Sequence, residues 1–334
     1  MSDWGIYQGT GVPRDQPYDL RQPPPWRQFD GGPALPVPSG DVGAVSTGDL
    51  RRAANYRSSD EAVEMVNAAL YLRRPLLVTG KPGTGKSSLP FAVAYELGLG
   101  PVLRWAITSR SALREGLYSY DAIGRLQDVN LTRREHDDED PMATIGDYVR
   151  LGPLGTAMLP FATPRVLLID EIDKSDIDLP NDLLGLFEYP EYTIDELARI
   201  ADRRPEVEVL TADGDTRVTL RRGQVRCLEF PFVVMTSNGE REFPPAFLRR
   251  CLRLDLGVPS RAELAEIVDR HLGPELAGSS HDLLDQFLAR RAEGDLAADQ
   301  LLNAIYLTSF AAREPGANRQ RLAELLMPYL NRRG

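Results

Sequence analysis

Eight consecutive residues restrict this chain more than any other feature: Gly80-Lys81-Pro82-Gly83-Thr84-Gly85-Lys86-Ser87. They follow an apolar run, Leu76-Leu77-Val78, that reads as a buried strand, and a helix is predicted to begin within Gly85–Leu97. The segment fits G-x-x-x-x-G-K-[ST] in the strand–turn–helix context that this pattern requires. Each residue type answers a physical need. The glycines let successive backbone N–H groups turn inward around an anion. The helix start adds the positive end of its dipole. Lys86 places a point charge on the β- and γ-phosphates, and Ser87 offers a hydroxyl to Mg²⁺. Ser88 carries the loop into the helix. The expected ligands are therefore ATP and Mg²⁺, held by Gly80 to Ser88.

Such a loop needs an acidic partner. Val166-Leu167-Leu168-Ile169-Asp170-Glu171 supplies one, because an apolar strand would carry Asp170 to the sheet's carboxyl edge. There Asp170 is expected to share the metal with Ser87, and Glu171 to act as general base on a water. Asp173, Lys174 and Asp176 follow, and read equally as a solvated helix start or as functional.

Further strand-like runs are Val102–Ile107, Phe232–Met235 and Leu252–Leu256, alternating with helical segments. This predicts an α/β fold with a mostly parallel sheet covered on both faces. A long excursion covers 108–164 and includes the acidic run His136-Asp137-Asp138-Glu139-Asp140. A second, between Pro205 and Phe230, has Val207, Val209, Val218 and Leu220 flanking Asp213-Gly214, a hairpin signal. Beyond Pro259 the pattern is helical throughout, starting with a capping box at Ser260 and Glu263 and a stop at Gly273. The expected organisation is an arm over 1–48, a nucleotide-binding αβα unit over 49–257 and a small helical unit over 258–334. The arm, rich in Pro and Gly, reads as disordered, or as docking on a neighbouring subunit through Trp4, Tyr7, Trp26 and Phe29.

With these residues in view, the chain from about 50 to 334 resembles the AAA+ ATPases, and among them the MoxR-type group of the helix-2-insert clade. The resemblance rests on the Arg74–Ser87 segment, on Asp170-Glu171 and on Leu151-Gly152-Pro153-Leu154-Gly155. It implies an αβα sandwich with a five-stranded parallel sheet, followed by an all-helical lid. It implies that Phe232–Asn238 is the sensor 1 strand, with Asn238 orienting the attacking water. It implies an arginine finger in Phe243–Arg250, Arg250 first and Arg249 second, acting on the nucleotide of an adjacent subunit. A homo-oligomer, a hexamer by resemblance, follows, with a protein partner bearing a von Willebrand factor A domain in a bacterial conflict or signalling system. Two positions depart from the group: Gln300 stands where a sensor 2 arginine is usual, and Ile172-Asp173-Lys174-Ser175 replaces the usual Asn-Arg after the acidic pair.

Composition bounds the alternatives. The 334 residues carry a formal net charge of −10, which disfavours binding to phosphate backbones. A nucleic-acid motor would depend on the hairpin arginines Arg217, Arg221, Arg222 and Arg226. Two cysteines without a CxxC fit a reducing compartment, and no apolar run approaches the length of a membrane span, so a cytoplasmic location is expected. The leading expectation is a ring-forming remodeller of a protein partner. The alternative is a nucleotide-dependent signalling switch with low turnover.

Overall fold

The computed structural model describes residues 4–14, 22–38, 46–135, 145–293, 296–311 and 319–329. The strands are β1 (Leu76–Gly80), β2 (Leu103–Ala106), β3 (Tyr118–Tyr120), β4 (Val149–Leu151), β5 (Val166–Asp170), β6 (Glu191–Thr193), β7 (Glu206–Leu210), β8 (Arg217–Arg221), β9 (Gln224–Arg226), β10 (Phe232–Ser237) and β11 (Leu252–Leu256). Five of them form an all-parallel sheet in the order β11-β1-β10-β5-β2. The central strands are apolar on both faces, as burial on both sides demands. Leu76, Val78, Val166, Phe232 and Val234 face one way, onto the helices Asp60–Leu72 and Leu89–Leu97. Leu77, Leu167, Ile169, Val233 and Met235 face the other, where the helix Asp178–Glu188 contributes Leu183 and Phe187. The chain is thus α/β, and β1, β5 and β10 bring the glycine-rich loop and the acidic and Asn238 segments to one edge of the sheet.

The remaining strands build a second sheet, β3-β4-β7-β8-β9-β6. The hairpin expected around Asp213-Gly214 forms, with Val209 opposite Val218 and Val207 opposite Leu220. Its Asp213 does more than turn the chain. Its carboxylate forms a two-pronged ion pair with buried Arg165, both contacts at 2.7 Å, which ties the hairpin to the start of β5. The helices Arg261–Leu272, His281–Glu293, Ala298–Ala311 and Arg319–Leu326 share a separate apolar cluster containing Leu264, Phe287, Leu301 and Ile305. The first of them starts with the expected Ser260–Glu263 box. The acidic run 136–140 lies outside the described residues.

The arm departs from both expectations, because its described residues dock on their own chain. Tyr7 is buried, and Asn67 accepts from the Ile6 and Tyr7 N–H groups while donating to the Tyr7 carbonyl. Glu96, buried in the helix after the glycine-rich loop, accepts from the backbone N–H groups of Gln8, Gly9, Thr10 and Gly11. Trp4 lies 5.5 Å from the Tyr71 ring, and Phe29 lies 6.2 Å from that of Phe230. Arg27 donates to the Arg73 and Phe187 carbonyls. Leu35 bridges to Phe161. Of the four aromatic residues, Tyr7 is buried, Trp4 keeps 40% exposure, and Trp26 is the most exposed at 78%. A polar segment docks here because buried helix side chains satisfy its backbone, an arrangement that no local hydrophobic period can reveal. No helix among the described residues is long and apolar enough to cross a membrane.

Candidate functional site

The loop from Gly80 to Ser88 leaves β1, turns through a 3₁₀ segment at Lys86–Ser88 and enters the helix Leu89–Leu97. Gly83 and Gly85 have φ of 76° and 89°. Both also have close neighbours. A Cβ on Gly83 would lie 2.4 Å from the Ala297 Cβ, and one on Gly85 would lie 2.9 Å from the Tyr56 ring. Glycine is therefore required twice over, for conformation and for space. Thr84 Oγ1 donates to the Lys81 carbonyl at 2.9 Å, closing the turn on itself. Lys86 is folded into the loop, with Nζ donating to the Gly80 and Lys81 carbonyls at 2.7 and 2.8 Å. Burial lowers its ammonium below the usual range, against the opposing pull of Asp173, Asp170 and Glu171.

Asp170, at the end of β5, meets the loop directly. Its Oδ1 accepts from Ser87 Oγ and from Thr236 Oγ1, each at 2.7 Å, and its Oδ2 accepts from Arg104 at 2.9 Å. Burial alone would raise this carboxyl, but the two hydroxyls and the guanidinium outweigh it and hold it below its ordinary value. Ser87 and Asp170 offer adjacent hard oxygen donors, the set that Mg²⁺ prefers, so their chemistry fits that ion. Thr236 also accepts from the Glu171 N–H at 2.8 Å, which pins the turn after β5 to β10. Glu171 sits in the left-handed region at φ 60°. Its carboxylate is partly exposed and pairs with Lys174 at 2.6 Å. Asp173 is buried, and its Oδ2 accepts from the Asn238 and Glu240 N–H groups at 2.9 and 3.1 Å. It therefore fixes where Asn238 leaves β10. Of the two readings of Asp173, the solvated one does not hold.

The structure thus brings together the loop, Asp170 and the backbone turns carrying Glu171 and Asn238. It does not bring the arginines there. Arg249 and Arg250 end the helix Pro245–Arg250; Arg250 pairs with Glu188 at 3.3 Å, and Arg249 is exposed. Their backbone carbonyls accept from Arg74. Gln300 is engaged within the C-terminal unit. It accepts from the Ala297 N–H and donates to the Pro328 carbonyl. Three of the four hairpin arginines are tied to separate carboxylates: Arg217 pairs with Asp147, Arg222 with Asp202, and Arg226 with Asp30 and Glu191.

Three contributors had no role assigned from sequence. One is Thr236; another is Arg104, exposed on β2 between the buried Leu103 and Trp105. The third is a cleft of about 450 Å³ beside the loop, lined by Asn55, Tyr56, Gly85, Ile267, His271 and Asp299. A neighbouring cavity of about 300 Å³ separates Lys81–Thr84 from Phe287 and Arg291 of the C-terminal helices. The alternation on β2 puts Arg104 on the exposed face together with Ala106, which by itself signals no role. The cleft joins segments more than two hundred residues apart and leaves no local signal either. No protein-family model and no curated protein matches this chain.

Proposed function

We propose that this chain is an ATP-hydrolysing enzyme of the AAA+ type, close to the MoxR group, that works as an oligomer on a protein partner. The observation that carries the reading is the 2.7 Å contact between Ser87 Oγ and Asp170 Oδ1, made where a glycine-rich loop and an acidic strand meet at one edge of a parallel sheet. The strand order β11-β1-β10-β5-β2 supports the same reading, because β10 lies between β1 and β5 and carries Asn238 into the site. Ala297, just before the helix Ala298–Ala311, lies against Gly83, which supports reading the C-terminal helices as a lid.

In this reading the loop N–H groups and Lys86 bind the phosphates, and the cleft beside Tyr56 takes the base. Ser87 and Asp170 hold Mg²⁺, which supplies positive charge to the phosphate oxygens when bound. Glu171 takes the proton of the attacking water once Lys174 lets it go, and Asn238 orients that water. Arg249 or Arg250 serves the site of the next subunit in a hexameric ring, since neither hydrogen-bonds its own loop. The partner is a protein, with a von Willebrand factor A domain protein of a bacterial conflict or signalling system as the leading candidate and the cytoplasm as the setting. The Lys174–Glu171 pair favours a second reading, a nucleotide-dependent switch with low turnover. The paired arginines of the hairpin weigh against a nucleic-acid motor.

The test is phosphate release and nucleotide affinity in wild type, Lys86→Ala and Glu171→Gln. Glu171→Gln should bind ATP as wild type does and lose about 10²–10⁴ in rate. Lys86→Ala should lose affinity. Full turnover in Glu171→Gln, or no binding by wild type, would sink the proposal. Binding with negligible wild-type turnover selects the switch.

A further inference from the structure

The two oxygens of Asp170 are held by different kinds of donor. Oδ1 accepts from two hydroxyls, and Oδ2 from the Arg104 guanidinium. The difference matters for a metal. A serine hydroxyl can keep its proton on the carboxylate and still turn a lone pair outward. A guanidinium has no lone pair to offer and keeps its charge at every accessible pH. A cation or its water shell arriving at Oδ2 therefore meets both a blocked acceptor and a like charge. The partners also differ in freedom. The Arg104 side chain is 53% exposed and that of Asp170 is 10% exposed, so the arginine can swing out to solvent while the carboxylate stays.

We propose that Arg104 is a tethered competitor for divalent metal at Asp170, holding Oδ2 in the empty site and leaving it when the metal's water shell takes its place. The inference rests on the phosphate-site reading given above. It has two consequences. Before metal arrives, Asp170 is neutralised from within the chain, and its buried charge is never left uncompensated. After metal arrives, a mobile guanidinium rooted on β2 is released at the rim of the site, one for each metal bound. The site then has a built-in threshold for metal. An ion pair with one exposed partner amounts to about a two- to fivefold effect on a competing equilibrium.

The experiment follows binding of N-methylanthraniloyl-ADP to the full chain by fluorescence while Mg²⁺ is titrated. Four proteins are compared: wild type, Arg104→Gln, Arg104→Met and Arg222→Gln. Arg222, in the turn after β8, pairs with Asp202 and controls for loss of one positive charge. Both neutral variants at Arg104 should reach half-saturation at about two- to fivefold lower Mg²⁺ than wild type. Arg222→Gln should match wild type. The methionine variant keeps the apolar stem and decides the matter if the glutamine variant folds poorly. A Mg²⁺ requirement that is unchanged or higher at Arg104, or lowered equally by Arg222→Gln, overturns the inference and leaves the phosphate-site reading standing. A wild type that binds no nucleotide at any Mg²⁺ concentration overturns both.

Discussion

Glu96→Gln tests whether a single carboxylate holds the N-terminal arm. Its Oε1 accepts from the Gln8 and Gly9 N–H groups at 2.6 and 3.2 Å. Its Oε2 accepts from the Thr10 N–H at 2.7 Å, the Thr10 hydroxyl at 3.0 Å and the Gly11 N–H at 3.2 Å. A glutamine has one acceptor oxygen in place of two, and its amide nitrogen presents hydrogens. The better orientation keeps the three contacts at Oε2 and turns the NH₂ group toward Gln8 and Gly9. Two part-buried backbone donors then face donors, each costing about 1–3 kcal/mol. The surviving bonds also lose their ionic character. The docked arm should therefore weaken by about 2–5 kcal/mol in all. The chain can escape part of this by undocking the arm, so global unfolding alone would underreport the effect. Hydrogen–deuterium exchange reads it directly: the amides of Gln8 to Gly11 should exchange about 30-fold faster or more, while those of β1 and β10 hold. Equal exchange at Gln8–Gly11 in the two proteins would refute the assignment.

The pair joining the hairpin to β5 should behave as a buried ion pair. Arg165→Ala should cost about 3–5 kcal/mol by leaving Asp213 buried and unpaired, and adding Asp213→Leu should recover much of it in urea unfolding. Acid stability should report on the hydroxyls around Asp170. Because the folded carboxyl lies below its ordinary 3.8, its contribution is present above that value and is lost as pH falls through the folded value. Thr236→Val removes one donor and moves the carboxyl back toward 3.8, so unfolding free energy should fall less steeply from pH 5 to pH 3 than in wild type. Equal slopes would show that Thr236 does not tune it.

What was legible in the sequence follows the range of the interactions involved. β1, β5 and β10 are apolar on both faces, and that signal is local, so the parallel sheet could be read. Ser87 and Asp170 belong to contiguous motifs, so their meeting could be expected from each separately. The second sheet could not be read in full, because β3, β4, β6 and β9 are three residues each and too short to display an alternation. Arg104 looked like an ordinary exposed strand residue. Its role appears only once β2 lies beside β5, a lateral fact. Asp213 read correctly as a turn residue, while its bond to Arg165 spans 48 positions and left no local trace. The arm misled for the same reason. Its Pro/Gly composition describes its own weak preferences, and Asn67 and Glu96, which hold it, are polar residues inside helices with nothing nearby to explain them.

The docked arm also orders events in time. Its contacts reach forward by 60 residues to Asn67, 88 to Glu96, 160 to Phe187 and 196 to Arg226. At a translation rate of about 5–20 residues per second, Arg27 is made about 10–30 s before the carbonyl it will bind. The arm is therefore made before the residues that fasten it and settles after them. It is fastened by a helix that the glycine-rich loop itself begins, so the arm closes as a latch on the α/β core.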